Sequence, residues 1–264
     1  MLCDILTYNT HGLPWSQDNS KPICAWIKET KPSIVCLQEV FRDSVRKYYQ
    51  EQLTREGYTV VIPRDTGVTF MPSGLVTAFL DRDYVMMSDC FCPYLDYHNV
   101  EFTANKGFHT LRLKQRKTAR IVHIVNTHTQ SDNEVTWLFR NAVFTIRKKQ
   151  FQQILDFFKH REPVLVIGDL NCEHSPHPHI RFLRTCTPAI LKKRTFYLTG
   201  EDLDHIGWLP LQWANPNCPF CDIERNGPRM ESCRVLQKPW SDHAPVIASV
   251  YIPPMPSATH DKKQ

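Results

Sequence analysis

Glycine is scarce, with 9 residues in 264. That excludes a collagen-like repeat and a flexible Gly-rich chain. No apolar run approaches the ~20 residues that span a bilayer. The longest, such as Val164-Leu165-Val166-Ile167, have strand length. The N-terminus, Met1-Leu2-Cys3-Asp4-Ile5-Leu6, lacks the basic n-region and apolar core of a signal peptide, so an intracellular, cytoplasmic protein is expected. A large charge surplus is missing too. Lys plus Arg is 32 against 27 Asp plus Glu, a net +5, and the 12 His add only latent positive charge. The chain carries no strong polyanion-binding signature. Cys218-Pro219-Phe220-Cys221 has no second CxxC; with Cys233 it is half of a zinc pattern.

What is present describes a folded protein. Hydrophobic residues are 42% and charged residues 22%, which excludes disorder. The length fits one large domain or two small ones, and no linker of unusual composition divides it. One domain over residues 1–252 is the reading, with a frayed, Pro-rich tail at 253–264. The 10 cysteines are scattered. Cys24, Cys36 and Cys172 sit in or beside apolar segments, as reduced thiols acting as small hydrophobes do.

Strand-like runs rich in Val, Ile, Leu and aromatics fall at 3–8, 33–37, 58–62, 75–80, 108–113, 121–126, 164–167, 204–209 and 246–251. Helical spacing marks 22–31, with Ile23, Trp26 and Ile27 on one face. It also marks 43–55, with Val45, Tyr49 and Leu53 inward and Asp43 or Ser44 as cap. In 141–160 the spacing predicts a stripe of Phe144, Phe151, Leu155 and Phe158, with Arg147, Lys148 and Lys149 facing out. The order is not a strict βαβ rhythm, and 108–113 with 121–126 reads as a hairpin. An α+β architecture of largely antiparallel or mixed sheets is expected.

The chemistry gathers where the strands end. Apolar runs meet Tyr8-Asn9-Thr10-His11-Gly12, Leu37-Gln38-Glu39, Asn126-Thr127-His128-Thr129-Gln130, Gly168-Asp169-Leu170-Asn171, Leu203-Asp204-His205-Ile206 and Ser241-Asp242-His243. Each alone is ordinary: Gly-Asp-Leu-Asn is a turn sequence and Ser-Asp-His a cap. Strand ends brought to one edge would make a cluster of oxygen and imidazole groups on rigid supports. Hard oxygen ligands without a Cys/His cage favour Mg²⁺ or Mn²⁺. Such a site beside two His suits attack of water on a phosphodiester.

The ordered set resembles the endonuclease/exonuclease/phosphatase superfamily, from Asn9 to His243. The resemblance implies a four-layer α/β/β/α sandwich of two packed sheets. It implies that Glu39, helped by Asn9, is the principal metal ligand, and that Asp169 and Asn171 orient water and phosphate. It makes His128 the phosphate-contacting residue and Asp242 with His243 the acid–base and second-metal group. Family members differ over whether the residue matching Asp169 or that matching His243 is the base, and that choice stays open.

Asn105-Lys106-Gly107 and Asn126-Thr127-His128-Thr129-Gln130 resemble the neutral, Mg²⁺-dependent sphingomyelinases, with Thr129 in place of the usual Leu. Arg147 and Gln150 also resemble that branch. Asn105, Lys106, Arg147 and Asp204 are the substrate-binding candidates; Lys106 beside a Gly backbone suits a phosphate anion. Asn-Lys-Gly also resembles inositol polyphosphate 5-phosphatases, but Val166 replaces their usual Trp. His205 stands where Tyr often occurs. The aromatic segment from Trp208 to Trp240 suits contact with lipid, stacking on bases, or packing on its own rings. The cluster His174, His177 and His179 reads as an exposed loop. The leading expectation is a phosphodiesterase acting on a phospholipid headgroup, with peripheral membrane contact and no obligate protein partner. A DNA or RNA nuclease and a phosphoinositide phosphatase are alternatives within the fold. A non-catalytic binding protein is the alternative outside enzymes.

Overall fold

The computed structural model describes residues 2–64, 69–98, 101, 103–132, 140–158, 163–172, 184–185, 195–198, 201–209 and 228–252. The expectations for Trp213, Phe220, Cys218, Cys221, the His174–179 cluster and the tail lie outside those residues.

Among the described residues, twelve strands form two six-stranded sheets. The first contains β1 (Leu2–Gly12), β2 (Ile34–Val40), β3 (Tyr58–Val61), β4 (Val76–Leu80), β11 (Arg229–Val235) and β12 (Val246–Tyr251), in the order β11-β12-β1-β2-β4-β3. The second contains β5 (Tyr84–Pro93), β6 (Gly107–Gln115), β7 (Ile121–His128), β8 (Val164–Asp169), β9 (Arg184–Thr185) and β10 (Asp204–Trp208), in the order β5-β6-β7-β8-β10-β9. Only β1–β2 and β7–β8 pair in parallel; the other pairs are antiparallel. The sheets are mixed and mostly antiparallel, as expected. The hairpin of β6 and β7 pairs Lys114 with Ile121.

Alternation sorts each strand between two cores. Cys3 and Ile5 of β1, Ile34 and Cys36 of β2, Val122 and Ile124 of β7, and Leu165 and Ile167 of β8 meet between the sheets. The intervening residues face helices. Leu6, Tyr8, Val35 and Leu37 pack on α1 (Ser20–Thr30) and α2 (Asp43–Arg55). Val125, Val164 and Val166 pack on Phe151, Ile154 and Phe158, at and just beyond the end of α3 (Arg140–Phe157). The layers run α/β/β/α.

Two helix details differ from expectation. The residue before α2 is Arg42, with no side-chain cap; Asp43 is the first helical residue and pairs with Arg46. In α3, Arg147 is buried beside Val143, Gln150, Phe151 and Ile154, while Lys148 and Lys149 face out. Its guanidinium is drawn inward by polar backbone: Nε donates to the Gln130 carbonyl at 2.7 Å, and the group pairs with Asp132. Trp208 is a core residue of β10, and Trp240 packs on Trp26 at 6.4 Å. His205 is buried, with Nε2 2.8 Å from the Cys172 carbonyl. Cys3, Cys24, Cys36 and Cys172 are free and buried.

Candidate active site

The inward row of residues changes character at one end of the sandwich. Asn9 (β1), His128 (β7), Asp169 (β8) and Asp204 (β10) continue the alternation that places apolar side chains between the sheets. Glu39 does not. Alternation would send it outward after inward Gln38. The β1–β2 register shifts between Asn9 and Gly12, and Glu39 takes a φ of 59°. A bulge of this kind re-aims a side chain. Asn9 Nδ2 then donates to Glu39 Oε1 at 3.0 Å and to Asp169 Oδ2 at 2.9 Å. Gly12 permits the approach, because a Cβ there would lie 2.4 Å from the Glu39 carbonyl oxygen.

Around this centre lie three imidazoles. His243 Nδ1 is 2.7 Å from Asp204 Oδ2, and its Nε2 is 3.7 Å from Asp169 Oδ2. Phe196 packs on its ring at 4.9 Å. Burial opposes a charge on His243, but Asp204 and Asp169 outweigh it and push the pKa up to about 10. Burial lifts the Asp204 carboxyl to about 6, against the pull of His243. Asp169 is pressed upward by burial, yet His243, His128 and the Asn9 bond hold it below the ordinary carboxylate value. His128 is lowered by burial and by Lys106, whose Nζ is 3.2 Å from Nε2. Lys106 Nζ also donates to the Thr129 carbonyl at 2.9 Å and pairs with Glu101 at 2.5 Å. The Asn171 backbone N–H donates to Asp169 Oδ1 at 2.9 Å, and its side chain donates to the Thr129 carbonyl. At the mouth, His11 Nδ1 is 3.1 Å from Asp242 Oδ2, which raises the His11 pKa.

Glu39, His128, Asp169, Asn171, Asp242, His243 and Lys106 line one cavity of about 520 Å³. Three expected substrate contacts are placed elsewhere. Asp204 faces His243, not the cavity. Arg147 braces the segment after β7 from behind, held by the Gln130 carbonyl and Asp132. Asn105 is buried against an adjoining cavity of about 180 Å³ that shares Glu101, Ala104 and Lys106 with the first. Conversely, Glu101 and His11 line the site although neither is a candidate on sequence grounds. His11 stood in a motif already noticed; nothing in the sequence marks Glu101.

The donor set fits a hard divalent cation. Glu39 Oε2 is buried without a hydrogen-bond partner among the described residues, while its carboxylate lines the cavity. Asp169 and Asp242 line the same cavity and offer further oxygens, while the Asn9 Oδ1 accepts from the His11 N–H at 3.0 Å and keeps one lone pair. Ligand atoms of Asp169, Asp204 and His243 also lie within 4.8 Å of one another. His243 and Asp204 are already joined there, so that trio is better suited to holding a proton than to caging an ion.

The profile of the Endonuclease/Exonuclease/phosphatase family matches residues 6–243. The chain belongs to this family. Family members hydrolyse phosphoester bonds and are typically metal-dependent. Sphingomyelinase C of Bacillus cereus is 24% identical over 200 residues, covering 63% of this chain and 56% of that one. The chain spans about half the length of the curated relatives it matches. The fold is shared with sphingomyelinase C from Streptomyces griseocarneus, with a TM-score of 0.69 and 21% identity over 94% of this chain and 99% of that one. It is shared with a Staphylococcus aureus beta toxin variant holding magnesium ions, with a TM-score of 0.68 and 16% identity over 94% and 99%. D. rerio TDP2 in complex with a single-strand DNA product gives 0.69 and 13% over 95% and 99%.

Proposed function

We propose that the protein is a Mg²⁺- or Mn²⁺-dependent phosphodiesterase that releases the headgroup of a sphingomyelin-like phospholipid. Glu39 and Asn9, with Asp242 nearby, would hold the cation, which when bound supplies charge neutralisation of the phosphate and activation of water. Asp169 and Asn171 orient water and phosphate. His243, held by Asp204, keeps a proton close to the reacting atoms. Lys106 and His128 meet the phosphate side of the cavity.

The observation favouring a lipid over a nucleic acid is the charge of the walls. Glu39, Glu101, Asp132, Asp169, Glu201 and Asp242 line the cavity, against Lys106 as its one Lys or Arg among the described residues. With Glu39, Asp169 and Asp242 gathered at the proposed cation, Glu101 paired with Lys106 and Asp132 with Arg147, the described wall offers no basic track for a long polyanion, whereas a single phosphodiester held through a metal needs none. Leu13, Trp15 and Met71 add an apolar mouth, and Trp15 and neighbouring Phe70 are 77% and 95% exposed. Exposed aromatics at a site mouth suit peripheral contact with a lipid surface. No helix among the described residues is long and apolar enough to cross a membrane.

The test is direct. Purified protein with Mg²⁺ should release phosphocholine from sphingomyelin micelles, and EDTA should stop the release until Mg²⁺ is restored in excess. Cleavage of plasmid DNA or RNA without phosphocholine release would overturn the lipid reading in favour of a nuclease.

A further inference from the structure

Immediately beneath the site lies a second polar layer, none of whose side chains lines the cavity. Moving one inward position back along the strands, Asn9 gives way to Thr7, His128 to Asn126, and the neighbouring strands contribute Gln38, Thr77 and His109. All five side chains are wholly buried between the sheets. They form one chain of hydrogen bonds. Thr7 Oγ1 donates to Gln38 Oε1 at 3.3 Å, and Gln38 Nε2 donates to Asn126 Oδ1 at 2.8 Å. Asn126 Nδ2 donates to the Leu37 and Val76 carbonyls at 3.2 and 3.1 Å and to Thr77 Oγ1 at 3.2 Å. Thr77 Oγ1 meets His109 Nδ1 at 3.3 Å, and His109 Nε2 lies 3.6 Å from Asp89.

An apolar layer of the same shape would serve the core about as well. Replacing both partners of a buried hydrogen bond by apolar groups of the same shape is close to neutral. A buried network paired from Thr7 through Gln38 and Asn126 to Thr77, with only the far nitrogen of His109 lacking a hydrogen bond among the described residues, instead selects one arrangement of the elements it joins. Here those elements are β1, β2, β4, β6 and β7, crossing from one sheet to the other. The central pair sits one residue before Glu39 and two before His128. Gln38 is gripped at both ends, because Thr10 Oγ1 also donates to its carbonyl at 3.0 Å. This is where the register shifts and Glu39 adopts its left-handed backbone.

We infer that Gln38 and Asn126 are positioning residues for the proposed metal site: their interlocked amides hold the β2 bulge that aims Glu39 into the cavity and fix it relative to His128. The inference rests on the proposed metal-dependent function. Neither residue touches substrate or cation; each acts through its neighbour along the strand. Groups that orient metal ligands in this way typically change metal affinity or activity by about 10–100-fold when removed.

The test uses the near-isosteric Gln38→Met in the full chain, with Mg²⁺ binding measured by calorimetry, melting temperature, and steady-state kinetics on sphingomyelin micelles. The expected result is a Mg²⁺ dissociation constant raised by about 10–100-fold and a lower kcat, with KM little changed. A folded variant with wild-type Mg²⁺ affinity and kcat and only a lower melting temperature overturns the inference, because a merely structural role moves stability alone. If Gln38→Met does not fold, Thr77→Val removes one partner of Asn126 further from the site. It should weaken Mg²⁺ by a smaller factor, and unchanged affinity overturns the inference. A wild-type protein that binds no Mg²⁺ would overturn the metal reading itself and with it this inference.

Discussion

His243 keeps its proton because carboxylates on two sides outweigh the penalty of burial, and the nearer of them is Asp204 at 2.7 Å. Asp204 does not line the cavity and is otherwise bonded to Thr195, so it works through the imidazole. Replacing Asp204 with Ala should lower kcat by about 10²–10⁴-fold with KM little changed. Replacing His243 should do at least as much. The two losses should not add: Asp204→Ala in a His243→Ala background should have almost no further effect. Steady-state kinetics on the four proteins check this, and additive losses would mean that Asp204 has a role of its own. At this scale the sequence was informative where strand ends met polar residues, hence Asn9, Glu39, His128, Asp169 and His243. It was uninformative for Glu101, whose importance arises only from Lys106 folding onto it and from Ser131 donating to it at 2.6 Å. Arg147 misled for a related reason. Helical spacing placed it among outward Lys residues, but the carbonyl that attracts it belongs to a distant segment.

The parallel pair β7–β8 carries His128 and Asp169 opposite one another, so its closeness sets their separation. Gly168 makes that closeness possible. Its φ is 144°, and a Cβ there would lie 1.9 Å from the Thr127 carbonyl oxygen. Gly168→Ala must therefore strain the backbone and spread the strands. The backbone conformation alone should cost about 1–3 kcal/mol, read as a lower chemical-denaturation midpoint. Catalysis should fall further than the lost stability accounts for, because Asp169 moves with the strand. Wild-type activity in a folded Gly168→Ala protein would show that the His128–Asp169 spacing is not critical. Element by element, interior strands were legible because both faces are apolar or cleanly alternating. Strands β5 and β11 were not. Both lie at sheet edges, where most of their side chains are exposed, and their pairing comes from β6 and β12.

Across the whole molecule, alternation reveals which residues face inward but not that two inward faces meet. The polar layer between the sheets was therefore invisible as a layer, although Gln38 and Asn126 stood inside noted motifs. That layer also exposes the fold to acid. Burial holds the His109 pKa down to about 4, from an ordinary 6.5, with Asp89 pulling the other way. Between those values the unfolded chain binds a proton that the folded protein refuses. Stability must then rise with pH across the window and fall as pH drops from about 6.5 towards 4. The ceiling on this single contribution is on the order of 3 kcal/mol. Below about pH 4 both states are protonated and the contribution no longer changes; above about pH 6.5 it is fully absent. Other carboxylates titrate in the same range, so the prediction concerns a difference between proteins. His109→Gln, which retains a hydrogen-bonding group near Thr77 but cannot titrate, should lose less stability than wild type between pH 6.5 and 4. Denaturant unfolding at closely spaced pH values checks it, and parallel pH profiles for the two proteins would mean that His109 is not the acid-sensitive group.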